Sequence, residues 1–90
     1  MNSTTELKNL VSKYIANVEQ VFEKLQVLSS QTEVSEVLDC AKRYLDDAKF
    51  FMNKGNFKHA LIAIVYCEGL IDALRMLKLA AFSWYSDRTT

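Results

Sequence analysis

Residues 48–60, Ala48-Lys49-Phe50-Phe51-Met52-Asn53-Lys54-Gly55-Asn56-Phe57-Lys58-His59-Ala60, decide the fold. Asn53-Lys54-Gly55-Asn56 reads as a stop followed by a restart. Gly55 can take the left-handed conformation that closes a helix, and Asn56 suits the N-cap of the next. So short a link makes the flanking helices antiparallel neighbours. Upstream, Val34, Leu38, Ala41, Leu45, Ala48 and Met52 are spaced alternately by four and three, which predicts a helix over 33–53. Downstream, Ala60, Ala63, Cys67, Leu70, Leu74 and Leu77 repeat that spacing and predict a helix over 57–79. This last segment is the most apolar. Ile64, Tyr66, Ile71 and Ala73 widen its seam and leave a narrow polar strip of Lys58, Glu68, Asp72, Arg75 and Lys78. A helix with so little polar surface is expected to be covered on more than one side, by its bundle partners or by a second subunit.

The N-terminal part carries the same pattern. Leu7, Val11, Tyr14, Val18, Val21, Leu25 and Leu28 form a heptad seam, broadened by Leu10, Ile15 and Phe22, over a helix at 5–28. Ser3 with Glu6, and Ser30 with Glu33, fit capping boxes at the starts of the first two helices. No segment alternates with period two, and no internal repeat suggests a solenoid. Three amphipathic helices on short links bury their stripes most simply as an all-α, antiparallel up-and-down three-helix bundle. Ninety residues form one domain, with an aromatic tail over 80–90.

Composition agrees and narrows the function. Half of the residues are apolar, there is no proline, and Gly55 and Gly69 are the two glycines, as long helices require. Eleven basic residues balance eleven acidic ones, which disfavours a nucleic-acid surface. No apolar run approaches the ~18 residues of a membrane span. The start, MNSTTELKNL, lacks the basic and apolar regions of a signal peptide, so the chain reads as cytoplasmic. Cys40 and Cys67 match no metal spacing and read as reduced packing residues.

The stretch AKRYLDDAKFFMNKGNFKHALIAIVYCEGLIDALRML resembles the archaeal domain of unknown function number 357. The resemblance lies in Ala41, Tyr44, Leu45, Asp47 and Ala48, then Gly55, Asn56 and Phe57 at the turn, and Ala60, Tyr66, Gly69, Asp72 and Ala73 beyond it. Lys78 departs from the pattern, where a glycine is expected near the end of the third helix. The resemblance implies a left-handed three-helix bundle in an archaeal cytosolic protein, and brings no activity, cofactor or site with it. Tetratricopeptide repeats share the turn but come in tandem. Helical nucleases of the HEPN type share the hairpin, but their Arg-x4–6-His motif is absent, since Lys54 stands five residues before His59.

His59 has no nucleophile, carboxylate or ligand spacing beside it and reads as a surface or packing histidine near the turn. No catalytic or metal residue is assigned. Asp47, Glu68, Asp72 and Arg75 are the candidates for a polar contact between helices or with a ligand. Phe50, on the side of its helix away from the seam, and Phe82, Trp84 and Tyr85 in the tail are candidates for an interface. The tail has two equal readings: it closes the chain's own bundle, or it docks on another subunit. These features favour a non-enzymatic interaction or oligomerisation module that binds a protein partner or itself. The alternative is a small-ligand or nucleotide-associated domain using the polar strip.

Overall fold

The computed structural model describes residues 3–84, and the hairpin around Gly55 is its centre. Helix α2 (Thr32–Asn53) precedes the turn and α3 (Phe57–Met76) follows it. Gly55 has φ 75°. Its N–H donates to Met52 O at 3.0 Å and the Asn56 N–H to Phe51 O at 2.8 Å, the pair of bonds that satisfies the last carbonyls of a helix in a Schellman turn. A Cβ at Gly55 would meet nothing within 4 Å. The positive φ alone therefore asks for glycine.

Helix α1 (Ser3–Lys24) completes an all-α three-helix bundle. The tightest pairing is between α2 and α3, with α1 lying more against α3 than against α2. Small residues explain the order. Ala41 and Ala48 on α2 and Ala60 and Ala63 on α3 are all buried, so these two backbones approach closely. From α1 the core takes Val11, Ile15, Val18 and Val21, and from α3 it takes Ile64, Cys67, Ile71 and Leu74. On the surface, Lys49 Nζ on α2 reaches Glu19 Oε2 on α1 at 2.8 Å; both groups are solvated, so the pair contributes little.

Two helix ends differ from expectation. The first helix ends at Lys24 rather than residue 28, because Gln26–Val27 becomes a short strand, β1, paired antiparallel with β2 (Ala80–Ala81). Gln26 faces Ala81, Val27 faces Ala80, and the Leu28 N–H donates to Leu79 O at 2.9 Å. The third helix ends at Met76 rather than 79, so that the chain can turn into that ladder. The expected caps also change. Ser3 already lies within α1, and α2 takes Gln31 rather than Ser30 as its N-cap, without a side-chain cap bond.

The end of α3 explains the departure seen at Lys78. Its N–H donates to Arg75 O at 3.0 Å, and the Leu79 N–H donates to Leu74 O at 2.9 Å. This is the same turn as at Gly55, built on a non-glycine residue with φ 63°. An L side chain there costs roughly 1–2 kcal/mol. Lys78→Gly is therefore expected to stabilise the bundle by about 1 kcal/mol, after allowing for the freer unfolded chain. A urea titration checks this, and a lowered midpoint would show that the Lys78 side chain contributes more than its backbone costs.

Candidate functional site

Helix α3 has two apolar faces: one is buried in the bundle, and the other stays largely exposed, with its Tyr66 ring 4.6 Å from that of Tyr44 on α2. At 100° per residue, Ala60, Ala63, Ile64, Cys67, Ile71 and Leu74 form the inward face, and all are buried. On the other side, Ile62 is 68% exposed, Val65 48%, Tyr66 51%, Met76 68% and Leu77 67%. Gly69 and Ala73 lie between them and are also exposed. The seven positions share one arc of about 120° and none is charged. Both bundle partners, α1 and α2, pack on α3, as one of the two expected coverings has it, and within the chain this outer arc stays largely exposed.

Gly69 is part of this face. It lies inside the helix, its φ is not positive, and a Cβ there would meet nothing within 4 Å. Glycine in a helix interior costs about 1 kcal/mol relative to alanine. No contact among the described residues requires it.

The polar candidates divide. Asp72 Oδ1 accepts from Arg75 Nε at 2.8 Å and from the Trp84 indole N–H at 2.9 Å. Glu68, one turn earlier, is buried. The strip at Glu68, Asp72 and Arg75 therefore lies on the flank of α3 that meets the tail. Asp47 stands apart, in a shallow groove on α2 with Cys40, Arg43, Tyr44 and Asp46. Among the described residues, no three His, Cys, Asp or Glu side chains come together to hold a metal. No helix of the described residues is long and apolar enough to cross a membrane.

The aromatic candidates divide as well. Phe50 is 55% exposed, with the Lys54 ammonium 5.5 Å from its ring centre and the Phe51 ring edge-on at 5.6 Å. Phe82 and Trp84 are half-buried, pack against the core cluster and meet each other edge-to-face at 5.1 Å. Tyr85 lies outside the described residues. An open depression of about 730 Å³ lies where the tail leaves the bundle, between Val21, Lys24 and Gln26 and the Phe82–Trp84 segment. The Trp84 N–H on its rim is already given to Asp72.

His59 sits at the turn, its Nδ1 3.1 Å from Asn56 Oδ1 and its ring 5.4 Å from that of Phe51. The contact with Asn56 needs the proton on Nδ1. Burial pushes the Cys67 thiol up to about 12, with the nearby Glu68 and Cys40 adding to the shift. It stays protonated at neutral pH and packs as a small hydrophobe. Asn17 is not among the candidates read from sequence: it is buried, and its Nδ2 has no hydrogen-bond partner among the described residues. The available signal is its position, three residues after Tyr14 and four before Val21, on the flank of α1's apolar stripe.

No curated protein and no solved structure matches the chain. A family profile described as "Protein of unknown function (DUF357)" matches residues 13–80, from the middle of α1 through α2 and α3 to the first residue of β2. The chain belongs to the DUF357 family of proteins of unknown function.

Proposed function

We propose that this protein is a non-enzymatic helical interaction module, acting through self-association or as an adaptor. The observation that supports it is the outer face of α3, uncharged from Ile62 to Leu77, where Ile62, Val65, Met76 and Leu77 are about half exposed or more and the Tyr66 ring meets Tyr44 of α2. Large exposed apolar patches mark protein contact sites in soluble domains. Phe50 adds a second exposed aromatic on α2. The absence of a nucleic-acid partner accompanies this reading, on the balanced charge of the chain, and a cytoplasmic setting is proposed with it. Light scattering across a concentration series, with a pull-down from a cell lysate, tests it. A strict monomer at high concentration that captures no protein would end the proposal.

The ligand-binding alternative has less support. Asp72 Oδ1 already accepts from Arg75 and Trp84, Glu68 is buried, and Asp47 lies in another groove. Ligand-dependent thermal shifts that are lost in Asp72→Ala would favour it over the interaction reading.

A further inference from the structure

We propose that the outer face of α3 is the contact surface of a symmetric homodimer, in which α3 packs antiparallel on α3 of a second copy with the twofold axis beside Gly69. The inference rests on the interaction-module reading and names its partner.

Three observations point to a second copy. The first is the arrangement of sizes along the stripe. Ile62 and Leu77 stand at its ends, Gly69 lies at its middle, and Tyr66 and Ala73 are placed about equally on either side. Reversing the helix about that midpoint sets Ile62 opposite Leu77 and Tyr66 opposite Ala73. Large then meets large at the ends, and a ring meets a methyl near the axis. A twofold contact demands this self-complementarity, because each pairing occurs twice.

The second observation is Gly69 itself. It is exposed, helical and free of any intrachain crowding. A backbone crossing at that point gives the missing side chain a reason, since small residues let two helices approach closely.

The third is area and charge. Scaled by side-chain size, the five exposures leave roughly 500–600 Å² of apolar surface, near the ~800 Å² per partner of a standard interface once Gly69, Ala73 and the rim are added. From Ile62 to Leu77 the stripe carries no charge, with Lys58 one turn before it, and the chain has none net, so two copies meet without net repulsion.

The test uses the full chain in sedimentation or multi-angle scattering, with circular dichroism as the folding control. Wild type is expected to be a dimer at high micromolar concentration. Ile62→Glu alone and Leu77→Lys alone are each expected to weaken it by roughly thirtyfold or more, because each buries a charge without a partner. Both positions are exposed in the monomer, so helicity should stay unchanged. Mixing the two variants is expected to restore dimers. The introduced carboxylate of one copy then meets the introduced ammonium of the other at one end of the contact, and a native Ile62–Leu77 pair forms at the opposite end. A dimer that neither substitution weakens uses another face and overturns the inference, while the interaction-module reading stands. Weakening by both without rescue on mixing overturns the antiparallel register. A monomer at every concentration overturns the homodimer, and the pull-down then decides whether the broader reading survives.

Discussion

Ile64→Ala is expected to remove about 3 kcal/mol of stability, within the 2–5 kcal/mol typical of such truncations in packed cores. Ile64 is fully buried, on the inward face of α3 where both other helices meet it. Truncation there loses the transfer energy of three carbons and leaves a cavity in a core whose β-branched residues, Val11 and Val18 among them, are stiff and do not readily fill it. A domain of this length has a stability of roughly 5–13 kcal/mol. The loss should therefore lower the urea midpoint sharply, with an unchanged slope. Ile62→Ala is the matched control, since Ile62 is two residues away on the same helix and 68% exposed. In dilute solution it should change stability by less than about 0.5 kcal/mol. Equal effects at the two positions would contradict the assignment of the faces of α3.

Trp84→Ala is expected to cost about 2 kcal/mol, below the 3–5 kcal/mol of a fully buried aromatic because Trp84 is half-buried. It loses the contact with Phe82 and the indole bond to Asp72. Trp84→Phe keeps most of the packing and should cost about 1 kcal/mol, because Asp72 retains Arg75. The pair of variants separates the two readings of the tail. If the tail closes its own bundle, the losses appear in dilute protein. A stability unaffected by Trp84→Ala, with weakened association instead, would place the tail in a contact between molecules.

Both experiments concern places where local pattern and tertiary packing part company. The inward seam of α3 is legible at Ala60, Ala63, Cys67 and Leu74, because four–three spacing reports one face of a helix directly. The same spacing also places Leu70 and Leu77 in the seam. Leu70 is only partly buried and Leu77 is 67% exposed. A helix with two apolar faces gives periodicity no means of choosing which of them is covered. Asp72 is legible as a polar contact, but its partner Trp84 is not, because twelve residues and a change of chain direction separate them.

Three helices, their order and the hairpin at Gly55 follow from the amino-acid sequence without reference to packing. Each depends on signals within a few residues: the helical period, the absence of proline, and one residue that takes a positive φ without strain. Other features arise only from packing across the bundle: α1 stops at Lys24, Lys78 takes φ 63°, and 26–28 pairs with 79–81. The last of these satisfies backbone groups of one segment with another more than fifty residues away. Neither segment carries a strand signal of its own, so the pairing exists only once the helices have brought the two ends together.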